Sequence, residues 1–263
     1  ADLAREYSAN VFPDDPIREV QGASLPGFEG ALMRIGGSRG GWGIAYNEDI
    51  SSPGRINFTL AHELGHYLVH RKDHPGGIQC SENDVVQGLR NIEREADQFA
   101  ADLLMPLDDF RRQIHARSVA DIAALSACAE RYGVSLLAAI LRWISYTERR
   151  AVLAVSRDGF LLWSRSSDAA RKTGAFFRTA KDVVEVPEQS LAARQDMTFD
   201  NRGGAAIPPG VWFRDEVKEM TVFSEQYDMV MSLLLLGDAE PRWRAWDDDD
   251  EDPVAVPVDS RWR

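Results

Sequence analysis

The 263-residue chain has no run of about 18 apolar residues, so no stretch of it reads as a membrane-spanning helix; the longest apolar segment is residues 229–236. It has only two cysteines, Cys80 and Cys128, too few for a disulfide framework. Residues 1–10 lack the basic-then-apolar layout of a signal peptide. Together with the scarcity of cysteine, this leads us to expect a reducing cytoplasm. Basic residues are also short, 30 Lys and Arg against 42 Asp and Glu, for a formal net charge of −12. Such a field disfavours non-specific binding to nucleic acid or to an anionic membrane. What is present is globular: 44% hydrophobic and 27% charged residues exclude disorder across the whole chain. The length suits one large domain or two modest ones.

The acidic excess is uneven. Residues 1–150 carry 16 basic and 21 acidic side chains, and residues 151–263 carry 14 and 21. Six of the latter form one unbroken run at residues 247–252. That run reads as a solvated tail, spanning 241–263, which leaves the rest of the C-terminal half close to neutral.

Texture divides the chain near residue 150. Residues 1–55 suggest a short helix followed by extended segments, with hairpin strands at 30–35 and 42–47. Residues 56–150 read as helical almost throughout. A first helix begins near Asn57 or Thr59 as N-cap and ends at the Asp73-His74-Pro75-Gly76-Gly77 turn. A second, 89–104, sets Ile92, Ala96, Phe99 and Leu103 on one stripe. A third starts at Pro106; Ser118 to Asp121 approximates a capping box for a fourth, closed by Gly133, and Ser135 caps a fifth. Beyond 150 the candidates are strands: 151–156, 159–164, 183–186, 210–213, 218–223 and 229–236. The expected fold class is therefore α+β, with a helical domain over 1–150 and a mixed or mainly β C-terminal domain over 151–240.

The chemistry lies on the first helix. His62-Glu63-Leu64-Gly65-His66 places two imidazoles four residues apart, one turn along a helix face, where both reach one metal ion. Glu63 points toward the open side of that ion, suited to take a proton from water and pass it to a leaving amine. A hydrolytic metal site needs a third protein ligand. Glu93 supplies it on the second helix, and Asp97, one turn on, is placed to accept the other ring N–H of a ligating histidine. His70 reads as a C-terminal residue complementing the helix dipole, and Cys80 as a small hydrophobe. Tyr46, Tyr67 and His74 are candidates for stabilising an oxyanion.

These residues carry a resemblance. The stretch from Arg55 through His62-Glu63-Leu64-Gly65-His66 to Leu68 resembles the zinc helix of the ImmA/IrrE metallopeptidases, and Glu93-Arg94-Glu95-Ala96-Asp97 to Met105-Pro106 is similar to their second signature. The resemblance covers roughly residues 30–150. It implies a gluzincin-like fold, a small twisted sheet over an active-site helix. It also implies one Zn2+ held by His62, His66 and Glu93, Glu63 as general base, and Asp97 behind the ligands. The implied substrates are Xre-type DNA-binding repressors, cleaved to release a stress, phage or mobile-element programme. In the related fold a strand before the zinc helix forms the cleft rim and takes substrate as an added strand. Residues 42–47, with Trp42, Ile44 and Tyr46, are assigned to it.

Residues 118–148 also have a helix-turn-helix cadence. The second helix offers a single basic residue, Arg142, where a DNA reader needs several, so direct DNA binding is not expected. Two functions remain: a narrow-specificity cytoplasmic zinc endopeptidase, and a metal-binding module that sequesters a repressor or antitoxin without cutting it. Only the first requires Glu63 as a base.

Overall fold

The computed structural model describes residues 1–36, 40–78, 87–194, 203–224 and 228–240, with side chains omitted at 87–90. Cys80 and the acidic tail lie outside the described residues. The fold is α+β. Its described residues divide into two compact units, one comprising Ala1–Pro106 with Arg131–Ser135, the other Leu107–Glu130 and the described residues from Leu136 to Glu240.

In the first unit, α1 (Asp2–Val11) leads into β1 (Ile17–Ala23), then β2 (Gly30–Ile35) and β3 (Gly41–Asn47). Helix α2 (Pro53–Gly65) follows and runs on into a π turn, His66–His70. A two-residue strand β4 (Gly77–Ile78) and α3 (Gln87–Leu104) complete the unit. The sheet order is β1-β3-β2-β4. β1 pairs with β3 in parallel, and the other pairs are antiparallel. The hairpin strands are where their alternation puts them. β1 was not legible in the sequence, because its edge position leaves most of its side chains exposed or half-exposed and removes the apolar alternation.

Alternate residues of β2 and β3 face α2, as pleating requires. Leu32, Trp42 and Ile44 are packed with Ile17, Leu64 and Tyr67 into the core of the unit. At one margin Arg71 lies over the rings of Phe12 and Tyr67, while the Tyr67 hydroxyl donates to the Asp15 carbonyl at 2.8 Å. Burial by itself would raise the Asp15 carboxyl, yet hydrogen bonds from Trp42 and Arg34 and the charges of Arg34 and Arg71 hold it below the usual range.

Helix α2 starts earlier than expected. Pro53 occupies its first position, where a missing N–H costs nothing, and the Ser52 carbonyl accepts from Arg55 and Ile56. Asn57 is thus inside the helix, and its amide donates to the Gly133 carbonyl at 2.9 Å.

The second unit contains α4 (Leu107–Gln113), α5 (Ile122–Tyr132), α6 (Leu136–Ile144), β5 (Ala151–Arg157), β6 (Phe160–Ser166), α7 (Asp168–Lys172), β7 (Ala205–Ile207), β8 (Val217–Ser224) and β9 (Met229–Leu236). Its sheet, order β6-β5-β9-β8-β7, is antiparallel throughout. The cap of α5 is Asp121, whose Oδ1 accepts from the Ala124 N–H at 2.8 Å. Residues 183–186 make only an isolated bridge to Phe160, and 210–213 form a turn rather than a strand. That turn is held by the indole of Trp212, which donates to the buried Glu219 at 2.9 Å.

By packing, the second compact unit begins at Leu107. Change of texture along a sequence reports secondary structure, whereas a unit is defined by what its apolar faces cover. Ala139, Ile140 and Trp143 of α6 are buried, and α6 packs on β5 and β6.

Candidate metal centre

Two helices build the site because nothing bulky separates them. A Cβ on Gly65 would lie 3.1 Å from Phe99 Cδ1 and 3.3 Å from Ala96 Cα. Bare Gly65 facing Ala96, itself fully buried, therefore sets the approach of α3 to α2. That approach carries Glu93 and Asp97, which flank Ala96, up to His62 and His66, which flank Gly65.

The donors converge. Nε2 of His62 and Nε2 of His66 are 2.9 Å apart, and the Glu93 carboxylate lies 3.2 Å from the first and 3.3 Å from the second. One ligand atom from each fits within 4.8 Å of the others. Tetrahedral zinc with bonds of ~2.0–2.1 Å has its ligand atoms about 3.3 Å from one another, so the spacing suits that ion.

Proton bookkeeping leads to the same place. His62 Nδ1 is 2.9 Å from Asp97 Oδ1, and a carboxylate accepts only, so the ring proton sits on Nδ1 and the Nε2 lone pair faces inward. Burial depresses the pKa of His66, helped by the nearby rings of His62 and His70 and opposed by Glu93, which favours the neutral, ligating form. Imidazole lone pairs and a carboxylate directed at one point repel unless a cation lies among them.

Glu63 is seated beside this cluster but does not join it. Only 3% of its surface is exposed, and its Oε2 is buried with no hydrogen-bond partner among the described residues. Burial pushes its carboxyl up to about 8; the charge of His62 opposes this and that of Glu93 adds to it. A carboxyl titrating near neutrality is what a proton shuttle needs. Its neighbour Gly30 on β2 leaves the space it occupies.

The metal, base and second-ligand residues expected from the sequence are thus all brought together. The substrate strand is not where it was assigned. β3 is paired on both sides, by β1 and by β2, so it offers no free edge for an added strand. Trp42 and Ile44 are core residues, 1% and 2% exposed, and the Trp42 indole donates to Asp15. Tyr46 is half-buried, opposite Gly30 in the β2–β3 register. Tyr67 is fully buried with its hydroxyl committed to Asp15, which removes it from the oxyanion candidates. His74 makes a backbone bond to the His70 carbonyl. His70 itself is no exposed helix end: it is 4% exposed, with its Nδ1 3.1 Å from Nδ1 of His66 and its Nε2 3.1 Å from Glu95.

Residues 20–143 match the family model of the IrrE N-terminal-like domain, Peptidase_M78. Over this segment the chain is similar to that family. The Peptidase_M78 domain runs from β1 into α6 and contains every donor described above, while the sheet of β5 to β9 lies outside it. A comparison with curated proteins gives no match to the sequence. Among the described residues, no single helix is long and apolar enough to cross a membrane.

Proposed function

We propose that the protein is a zinc-dependent endopeptidase that hydrolyses one peptide bond in a specific protein substrate. The observation that carries this reading is the buried Glu63, its carboxyl raised toward neutrality, beside three converging acceptors on α2 and α3. His62, His66 and Glu93 hold the ion. Bound there, zinc would supply Lewis-acid chemistry, polarising a carbonyl and lowering the pKa of water. Glu63 receives the proton of the attacking water and delivers it to the departing amine. Asp97 keeps His62 in its ligating tautomer.

The substrate we assign is an Xre-type helix-turn-helix repressor, cut in the cytoplasm to release a stress, phage or mobile-element response. The resemblance of the two signatures supports it, and so does charge: residues 1–150 are net acidic, which favours a basic, DNA-binding partner. α6 supports a role other than reading DNA, since Arg142, its one basic residue, is 6% exposed. The C-terminal sheet then selects the substrate or senses the signal.

The test uses the purified chain, its Glu63→Gln variant and the repressor encoded beside it. Wild type should contain one zinc and cut the repressor at one site; the variant should keep the zinc and cut nothing. A variant that cleaves normally overturns the peptidase reading. One that fails to cleave yet still relieves repression in cells establishes instead the sequestering, non-catalytic module.

A further inference from the structure

His66 has an outer partner unlike that of His62. Where His62 meets the carboxylate of Asp97, the Nδ1 of His66 faces another imidazole, His70, at 3.1 Å. An imidazole nitrogen either donates or accepts, so this contact alone leaves two arrangements open. In one, His66 donates and keeps its Nε2 lone pair. In the other, His70 donates, the His66 proton moves to Nε2, and His66 cannot ligate.

The choice is made one step further out. Nε2 of His70 lies 3.1 Å from Oε2 of Glu95. A carboxylate cannot donate, so that nitrogen carries the proton and Nδ1 of His70 is left as the acceptor. His66 must then donate from Nδ1. Both histidine rings of this relay are almost fully enclosed, 0% and 4% exposed, which removes competition from water. Glu95 sits at the outer end, 60% exposed in its side chain.

We propose that His70 and Glu95 are positioning residues that hold His66 in its Nδ1–H form and aim its Nε2 at the metal. They touch neither metal nor substrate and act through His66. This rests on the zinc reading above for its consequence: in the metal-free chain Glu93, 3.3 Å from Nε2 of His66, can hold a proton there, and only the proton on Nδ1 is set by the relay. The pair also accounts for placement. Glu95 shares α3 with Glu93 and Asp97, and His70 ends the π turn that begins at His66, a local widening that helices often show at functional sites.

The experiment has two readouts. Long-range 1H–15N spectra of the metal-free protein report which ring nitrogens are protonated; wild type should show Nδ1–H on His66, and on His70 Nε2–H with an unprotonated Nδ1. Zinc affinity is then measured by chelator competition. His70→Leu should weaken it ~10–100-fold, while His70→Asn, whose carbonyl takes the acceptor position, should stay within a few-fold of wild type. Glu95→Gln can donate to His70, so it should populate the wrong tautomer and weaken zinc several-fold with unchanged thermal stability of the metal-free chain. A His66 whose Nδ1 carries no proton in wild type overturns the proposal. So does equal zinc affinity in wild type and His70→Leu. A wild type that binds no zinc sinks the metallopeptidase reading, and the spectra still decide the relay.

Discussion

A Cβ on Gly30 would fall 2.7 Å from Oε1 of Glu63 and 2.6 Å from Cγ2 of Thr59. Strand β2 therefore gives up a side chain here so that the carboxyl can stand against it. Gly30→Ala must displace the buried side chains of Glu63 and Thr59. The expected result is kcat/KM lower by ~10²-fold with zinc content unchanged. Full activity in that variant would show that the contact does not set the position of Glu63.

In the proposed centre Asp97 would act on the metal through His62, whose Nδ1 lies 2.9 Å from its Oδ1. Asp97→Asn keeps the shape but presents an amide that donates as readily as it accepts, so the ring proton is no longer confined to Nδ1. Zinc affinity should fall ~10–100-fold, read by chelator competition, with little change in the unfolding midpoint of the metal-free chain. A large fall in that midpoint would instead make Asp97 a structural residue.

Stability of the metal-free chain should depend on Glu63 with a definite sign. Burial raises the carboxyl from an ordinary 4.5 to about 8, so the folded chain holds a proton that the unfolded chain releases. Its contribution is fully present below pH about 4.5 and is lost as pH rises toward 8. Glu63→Gln stays neutral throughout. The variant should therefore gain on wild type across this window, by on the order of a few kcal/mol at the upper end. Urea unfolding of both chains at pH 5 and pH 8 measures it, and a gain by wild type at pH 8 contradicts it.

The C-terminal unit has its own polar anchor. Glu219 is fully buried and accepts four hydrogen bonds: from the Leu191 and Ala192 N–H groups, the Trp212 indole and the Ser232 hydroxyl. Glu219→Gln turns an acceptor into a donor among donors. The change should cost roughly 1–3 kcal/mol, seen as a lower denaturation midpoint. Zinc affinity should remain that of wild type; a parallel loss of zinc would tie this carboxylate to the metal centre.

What the sequence determined by itself was local. His62, Glu63 and His66 share a helix because their spacing is the helical period, and Glu93 and Asp97 share another for the same reason. Strands 30–35 and 229–236 were legible because apolar runs bounded by turns are also a short-range signal.

Only the tertiary structure decided which faces meet. Trp42 and Ile44 looked like a rim and proved to be core, because β1 returns alongside β3 in parallel, and strand order within a sheet is set by pairings distant along the chain. Helix α6 packs on β5 and β6, strands that follow it in the chain. His70 and Glu95 carried no motif. Their relation to His66 exists only once Gly65 and Ala96 let α3 close on α2, 3.3 Å apart at the nearest approach of Cβ position to backbone. A metal ligand set can be written into local periodicity, but the protons that make it a ligand set are assigned by neighbours that the fold alone supplies.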